Sequence, residues 1–341
     1  MKYGFGLVGC GTIAPVFAAA IEQLDNARLV AVSDAVEDRA RALAERFGAD
    51  WHASYDELLA RNDVQVVSVL TWSGMHAEMG VAAAQAGKHV LTTKPIDVTL
   101  EKIDRLVETC RSRGVKLAAV HQVRSSSSFV RLKRAIDDGA LGRIHFGNAY
   151  IPWCRTQDYY DSAQWRGTWR WDGGGCLMNQ GIHTVDVLQW LVGPVAEVQA
   201  YTDTLAHEIE VEDAAAAALR FANGALGVIM GSTAVCKGLP SRIEVFGANG
   251  NVVIEGEDVI RWQVGDEETF APFTGAAAGA TDPKAGLMNA IPGHVEQIGD
   301  FVRAIEENRE PMLNGEEARK AVALILAIYE SARTGKAARP G

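Results

Sequence analysis

Lys94 and His183 are the side chains of this sequence best suited to hold an alkoxide or to move a proton. Lys94 stands just before the final proline of the run KHVLTTKP, and His183 lies in GGGCLMNQGIHTVDVLQWLVG, residues 173–193, four residues after Asn179. A lysine ammonium can polarise a hydroxyl and stabilise a developing alkoxide, and an imidazole can accept a proton near neutral pH. The alternatives are a solvated surface lysine and a structural core histidine.

Asn179 and His183 have the spacing of neighbours on one face of an α-helix. The amide of Asn179 can hydrogen-bond but cannot take a proton, so acid–base chemistry in this segment would depend on His183. The glycines at 173–175 predict a flexible entry to the helix. Asp186, three residues after His183, either orients the imidazole or lies on the solvent side.

A glycine-rich turn near the start of the chain predicts a dinucleotide site. In GCGTIA, Gly9, Gly11 and Ala14 follow an apolar strand and open a helix, which is the context that gives a G-x-G-x-x-A pattern its meaning. Gly9 permits the tight turn, and Gly11 lets the backbone approach a pyrophosphate at the helix N-terminus. The intervening Thr12 and Ile13 belong to the same cofactor site. The alternative is a glycine turn in an α/β domain that binds no nucleotide.

Asp34 ends the second predicted strand, 20 residues after Ala14. A carboxylate there can accept hydrogen bonds from ribose hydroxyls and would repel a 2′-phosphate, which favours NAD over NADP. Ligands of doubly wound sheets bind outside the carboxyl ends of the strands, so Thr71, Trp72 and His76 are predicted to face the same cofactor cleft. His76 could equally be a surface residue at a helix N-terminus.

The segment WCRTQDYYDSAQWRGTWRWDGGG is rich in aromatic and arginine side chains. Aromatic faces stack on the C–H faces of sugar rings, and arginine forks bind hydroxyls or carboxylates. Tyr159, Trp165 and Arg166 are therefore candidates to line a substrate site, although an aromatic core or a subunit contact would use the same residues. The arginines also admit an anionic sugar.

Two different patterns of secondary structure are predicted for the segments that carry these residues. Residues 1–122 alternate apolar strands with helices, which predicts a doubly wound parallel sheet. Residues 123–341 carry longer strands separated by the turn signals ANGA and GANGN, which predict a mostly antiparallel, open sheet in an α+β domain. Helices are predicted at about 129–138, 294–307 and 316–334, and TGAAAGATDPKAG is predicted to be a flexible loop.

The bulk properties narrow the function classes. The 341 residues carry a net charge of −10, so a nucleic acid partner is not expected. The five cysteines are scattered and form no CxxC pair, which argues against a disulfide framework or a structural metal site. Without a signal-peptide pattern or an apolar run of about 18 residues, the sequence predicts a cytoplasmic protein with no membrane partner.

These landmarks, in this order, resemble the Gfo/Idh/MocA oxidoreductase family, which includes glucose–fructose oxidoreductase and inositol dehydrogenases. The matching stretches are GLVGCGTIA, TWSGMHAE, TKPIDVT, VHQVR, GGGCLMNQGIH and the C-terminal GHVEQIGDFVRAI. The resemblance implies an N-terminal Rossmann domain and a C-terminal domain whose open sheet forms the contact of a homo-oligomer, a dimer or tetramer.

The resemblance also assigns roles residue by residue. Lys94 matches the lysine of the family's E-K-P motif, where Thr93 replaces the glutamate. Asn179 and His183 match the family's D-x-x-x-H, with Asn179 in place of the commoner aspartate. The family's Q-x-R matches Gln122, a cofactor-site candidate, and Arg124, a substrate-site candidate.

The resulting hypothesis is an NAD-dependent dehydrogenase that oxidises a secondary hydroxyl of a sugar, sugar derivative or cyclitol. Lys94 and His183 would bracket the hydroxyl, with His183 taking its proton while hydride passes to the nicotinamide. A cofactor-binding sensor without turnover is one alternative, since folds of this kind are reused. A glycosidase that uses tightly bound NAD for transient oxidation is the other.

Overall fold

The computed structural model describes residues 2–272 and 290–341, which fall into two units. Described residues 2–122 and 290–319 make up the first unit, and residues 123–272 and 320–341 make up the second. The predicted loop at residues 274–286 lies outside the described residues. No helix of the described chain has the length and apolar character needed to cross a lipid bilayer.

The first unit is built on a parallel sheet. Its strands are β1 (Tyr3–Val8), β2 (Ala27–Ser33), β3 (Asp50–His52), β4 (Val66–Val69), β5 (His89–Thr93) and β6 (Leu117–Val120), and its helices are α1 (Ala14–Glu22), α2 (Glu37–Phe47), α3 (Tyr55–Leu59), α4 (His76–Gln85) and α5 (Leu100–Arg113). The strand order is β3-β2-β1-β4-β5-β6, with every pair parallel. Strands such as β4 are buried along their whole length because helices cover both faces. The predicted doubly wound sheet is confirmed.

A helix from late in the sequence completes the core of this unit. Helix α9 (Ile291–Glu306) buries Ile298, Phe301 and Val302 in the same hydrophobic cluster as Phe5 and Phe17. Residues 290–319 thus belong to the first unit, although they follow the strands of the second sheet in the sequence.

The second unit contains an eight-stranded sheet. Its strands are β7 (Ile144–Pro152), β8 (Val195–Asp203), β9 (Ala214–Phe221), β10 (Leu226–Ser232), β11 (Arg242–Gly247), β12 (Gly250–Glu255), β13 (Asp258–Val264) and β14 (Glu267–Phe270). They lie in the order β14-β13-β12-β11-β7-β10-β9-β8, and only β7 and β10 pair in parallel. This confirms the mostly antiparallel, open sheet. The helices of this part are α6 (Ser127–Asp137), α7 (Gln157–Asp161), α8 (Ile182–Val192) and α10 (Gly315–Thr334), the last of which begins in the first unit.

Candidate functional site

The glycine-rich turn lies where β1 gives way to α1, and its two glycines are needed for different reasons. Gly9 has a φ of 93°, and a Cβ there would come within 2.7 Å of the Leu70 carbonyl oxygen, so the end of β4 crowds this position. At Gly11 no described atom lies within 4 Å of the Cβ position. The space above Gly11 is therefore open, which leaves room for a close approach of pyrophosphate oxygens, and the cofactor role of Gly11 stays a prediction.

Asp34 is tied to this turn. One carboxylate oxygen accepts a hydrogen bond from the backbone N–H of Cys10 at 2.7 Å, and the other accepts from the N–H of Val36 at 2.7 Å. These bonds fix the carboxylate at the carboxyl end of β2, and its remaining lone pairs can still accept ribose hydroxyls. Thr12 is exposed and Ile13 immediately precedes α1, so both lie in the turn itself. The turn and Asp34 therefore fit an NAD ribose and pyrophosphate.

Thr71, Trp72 and His76 follow β4, at the same carboxyl edge of the sheet as the glycine turn. Trp72 is 40% exposed, and the Thr71 hydroxyl is buried with no hydrogen-bond partner among the described residues. His76 is the first residue of α4, so the expectation of a helix N-terminal position is confirmed. It is only 1% exposed, so the expectation of a surface residue is wrong. It does not present its ring to solvent at this edge.

The imidazole of His76 bridges two loops. Its Nδ1 lies 2.6 Å from the Pro95 carbonyl oxygen and its Nε2 lies 3.0 Å from the Thr71 carbonyl oxygen. Burial lowers the pKa of His76, and a neutral ring can donate to only one of these carbonyls. His76 therefore connects the loop after β4 with the loop that carries Lys94.

Lys94 is half-buried just past β5, on a loop that is anchored by Asp97. Asp97 is fully buried, and its carboxylate accepts from the backbone N–H groups of Ala77 at 2.9 Å and Val98 at 2.7 Å. Sequence reasoning did not identify Asp97 as part of the site, although an acid three residues after a candidate lysine was a usable signal. Together, Asp97 and His76 hold the Lys94 loop against α4.

Gln122 opens a short 3₁₀ turn, Gln122–Ser125, at the end of the first unit's sheet. Its backbone approaches α9 closely, because a Cβ on Gly293 would lie 2.7 Å from the Gln122 carbonyl oxygen. The side chain is half-buried. The contacts of its backbone show how this turn is held, and its role toward the cofactor stays a prediction.

The segment that carries Asn179 and His183 differs from the single α-helix expected from the sequence. Residues Cys176–Gly181 form a π-helical turn, and the α-helix α8 begins at Ile182. The i,i+4 spacing of Asn179 and His183 therefore crosses a change of helix type. Single π-helical turns are frequent at functional sites.

Glu212 holds the start of this π-helical turn. Its buried carboxylate accepts from the backbone N–H groups of Gly175 at 2.8 Å and Leu177 at 2.9 Å and from the Tyr329 hydroxyl at 2.8 Å. Burial raises the pKa of Glu212 above its ordinary value. The glycines here serve close packing rather than flexibility, since a Cβ on Gly174 would lie 2.1 Å from the Tyr329 hydroxyl oxygen.

Asn179 contacts a carboxylate that sequence reasoning missed. Its Nδ2 donates to Oδ1 of Asp172 at 2.5 Å, and Oδ2 of Asp172 accepts from the N–H of Gly167 at 2.9 Å. Asp172 is 1% exposed, whereas Asn179 and His183 are half-buried. His183 is the second residue of α8. The structure thus places an acidic group within hydrogen-bonding distance of the Asn179 side chain.

Asp186 and Arg124 form a buried ion pair. Nε and Nη2 of Arg124 donate to the two oxygens of Asp186 at 2.6 and 2.7 Å, and the guanidinium carbon lies 5.5 Å from the Trp190 ring centroid. Asp186 is 1% exposed, so the expectation that it could lie on the solvent side is wrong. A bidentate pair of this kind anchors α8 through the fork geometry of arginine.

Three of the predicted substrate-site residues lie together. Arg166 donates to the Tyr159 hydroxyl, and its guanidinium carbon lies 4.2 Å from the Tyr159 ring centroid and 4.8 Å from that of Trp165. Gln180, which the sequence did not mark, donates to the same hydroxyl at 2.7 Å. Arg166 forms no ion pair with a carboxylate of the described residues. It can therefore offer its charge to an anionic ligand.

The comparisons with known proteins agree with this chemistry. Residues 3–121 match a model described as "Oxidoreductase family, NAD-binding Rossmann fold", and residues 129–253 match the GFO/IDH/MocA C-terminal domain. Fold and sequence thus define an oxidoreductase with an NAD-binding Rossmann domain. The chain belongs to the GFO/IDH/MocA family, as predicted.

Several relatives show the range of this family. The WlbA dehydrogenase from Bordetella pertussis, solved in complex with NADH and UDP-GlcNAcA, is 37% identical, with 99% of each chain covered and a TM-score of 0.87. Myo-inositol 2-dehydrogenase of Thermotoga maritima is 28% identical over 96% of this chain and 95% of its own length. The 1,5-anhydro-D-fructose reductase of Ensifer adhaerens is 28% identical over 98% of this chain and 97% of its own length.

Proposed function

We propose that this protein is an NAD-dependent dehydrogenase that oxidises a secondary hydroxyl of a negatively charged sugar, in particular a nucleotide-linked sugar of the UDP-GlcNAcA type. The observation that carries the proposal is the turn at Gly9 and Gly11 with Asp34 fixed beside it. This arrangement fits the NAD of an oxidoreductase, and the 37% identical WlbA dehydrogenase was solved with NADH and UDP-GlcNAcA.

The cofactor supplies the hydride acceptor, and the chain supplies orientation and proton transfer. Lys94 is the proposed group that polarises the hydroxyl and stabilises the alkoxide. Its loop is held by the His76 bridge to Pro95 and by the buried carboxylate of Asp97, so the ammonium is carried on a fixed support. His183 is the proposed base, and Asn179 is a proposed hydrogen-bond partner of the substrate.

Arg166, Tyr159 and Trp165 support an anionic sugar as substrate. The Arg166 guanidinium stacks on two aromatic rings and carries no carboxylate partner among the described residues. Such a group binds a carboxylate or phosphate oxygen without first giving up an internal ion pair. The bidentate pairing of Arg124 with Asp186 makes Arg124 a support for α8 in this proposal rather than a substrate ligand.

The test is an NADH-absorbance assay on purified protein with NAD or NADP and a panel of UDP-GlcNAcA, free uronates, neutral hexoses and inositols. Turnover is expected with NAD and UDP-GlcNAcA, and it should be lost in Lys94→Met and in His183→Ala. The exposed Lys2→Met serves as the matched control for charge removal. NAD binding without turnover would favour a sensor, and glycoside cleavage without net NADH would favour a hydrolase.

We also propose a homo-oligomer, a dimer or tetramer, that forms through the open face of the second sheet. This face presents Phe146 at 46%, Leu226 at 40% and Val228 at 38% exposure, and Leu226 pairs directly with Phe146 across β7 and β10. Exposed apolar patches of this kind are commonly contact surfaces. Placement in the cytoplasm is proposed from the five free thiols, which suit a reducing compartment.

A further inference from the structure

Asp172 and Asn179 form a short contact within the second unit. The amide Nδ2 of Asn179 lies 2.5 Å from Oδ1 of Asp172, and Asp172 is only 1% exposed. The carboxylate stands immediately before the three glycines that enter the π-helical turn. The resemblance leads one to expect an aspartate at position 179. Here position 179 is an asparagine, and the carboxylate belongs to Asp172, which is hydrogen-bonded to it.

Both partners of the contact are held by backbone structure. The N–H groups of Asp172 and Gly173 each donate to the Thr168 carbonyl at 3.1 Å, and Oδ2 of Asp172 accepts from the N–H of Gly167. Gly167 has a φ of 69° and is packed against Ile209, which fixes this end of the turn. Asn179 sits on the π-helical turn that Glu212 holds at its start. Neither side chain depends on a flexible loop for its position.

The contact determines which atom of Asn179 can accept a hydrogen bond. Both oxygens of Asp172 accept hydrogen bonds, so the amide must turn its NH₂ toward Asp172, and its Oδ1 is the acceptor end. A second carboxylate in place of this amide could not share the site in ionised form, because like charges at this separation strongly raise one of the two pKa values. An amide at 179 thus donates to the Asp172 carboxylate without placing a second negative charge beside it.

We propose that Asp172 is a positioning residue for the dehydrogenase reaction, which fixes and polarises Asn179 so that this pair performs the task of a single carboxylate at position 179. In this proposal Asp172 does not touch the substrate, and it acts through its hydrogen bond with Asn179. The inference rests on the proposed function for its reaction, but the pairing of the two side chains is tested without any substrate.

The decisive variants are Asn179→Asp, Asp172→Asn and the double exchange, which combines both substitutions in one chain. Asn179→Asp brings two carboxyls together, so kcat/KM should fall about tenfold at about pH 8 and recover as the pH is lowered to about 6, where one carboxyl holds a proton. Asp172→Asn should lower kcat more than it raises KM. The double exchange restores one amide and one carboxylate, and it should recover most of the activity. Asp158→Asn, an exposed carboxylate on α7, is the matched control.

Two titratable groups on neighbouring elements of the described residues should not contribute to this pH dependence. Tyr160 of α7 and Cys176 of the π-helical turn have pKa values raised by burial, so neither should ionise between about pH 6 and 8. Glu212, at the start of the turn, is unchanged in all the variants. The profile of each variant is divided by the wild-type profile, which removes the pH dependence that the substitutions leave unchanged.

Thermal midpoints of the same proteins, measured without substrate between about pH 6 and 8, separate the pairing from the reaction. Because the paired carboxyls of Asn179→Asp raise a folded-state pKa, its stability should fall as the pH rises, and the double exchange should not show this. If the wild type turns over none of the panel, the proposed function fails even when this stability signature is present. A flat ratio of activity with pH for Asn179→Asp, or a double exchange no better than the single variant, would overturn the positioning role.

Discussion

The buried ion pair between Arg124 and Asp186 should make a large and measurable contribution to the stability of the second unit. The side chains are 4% and 1% exposed and are joined by two hydrogen bonds of 2.6 and 2.7 Å. Asp186→Ala removes one partner and leaves a buried guanidinium without its carboxylate. Breaking buried pairs in this way costs about 3–5 kcal/mol of the free energy of unfolding.

That cost converts into a shift of the thermal midpoint. For a domain of roughly 150–250 residues, each kcal/mol moves Tm by about 2–4 °C, so Asp186→Ala should lower Tm by about 6–20 °C. Arg124→Met combined with Asp186→Leu removes both charges and fills the space with apolar atoms. Such replacements are often neutral or stabilising, so the double variant should recover most of the loss.

Tryptophan fluorescence suits this measurement, because six of the eight tryptophans lie between residues 123 and 272 and therefore report on the second unit. Asp158→Ala, which removes an exposed carboxylate from α7, is the control and should leave Tm almost unchanged. A shift below about 2 °C for Asp186→Ala would refute the energetic reasoning. A double variant as unstable as the single one would show that Asp186 matters for some reason other than its charge partner.

Three further outcomes are expected. Gly11→Val should raise the Kd for NAD at least about tenfold in a fluorescence titration, because the side chain would occupy the space proposed for the pyrophosphate. It should leave Tm unchanged, since no described atom lies within 4 Å of the added Cβ. Unaltered NAD affinity would count against the pyrophosphate site. Burial lowers the pKa values of His76, His89 and His294, so the unfolded chain binds more protons, and the first unit should lose stability as the pH falls below about 6.5. A pH series of Tm checks this, and His294→Gln should reduce the slope; a slope of the opposite sign would contradict it. Phe146→Asp should dissociate the proposed oligomer, which size-exclusion chromatography with light scattering would detect, and an unchanged mass would exclude this sheet face as the contact.

The sequence predicts the parallel sheet and the turns at its carboxyl edge well, because these elements depend on local patterns. Apolar runs that become β1, β2 and β4 alternate with amphipathic helices, and glycines at 9 and 11 stand directly after a strand. In a parallel sheet the carboxyl ends of such strands meet at one edge, so the placement of Asp34 and Thr71 at that edge follows from topology.

Other features depend on contacts that have no local signature. The π-helical turn at Cys176–Gly181 is six residues long, and its i→i+5 hydrogen bonds leave no distinct period in so short a segment. Asp172 meets Asn179 across intervening glycines that pack against Glu212 and Tyr329, which are distant in sequence. The burial of His76 is likewise a tertiary effect, since its position at the first residue of α4 is also typical of a surface residue.

The return of residues 290–319 has a consequence for how the protein is made. Ile298, Phe301 and Val302 of α9 belong to the same core as Phe5 and Phe17. On the ribosome, the nucleotide-binding unit therefore cannot close its core when its first 122 residues emerge, and must wait until the whole second sheet has been synthesised. A fragment that stops near residue 122 would expose the apolar surface that α9 covers, so the first unit completes its core only after the second sheet has left the ribosome.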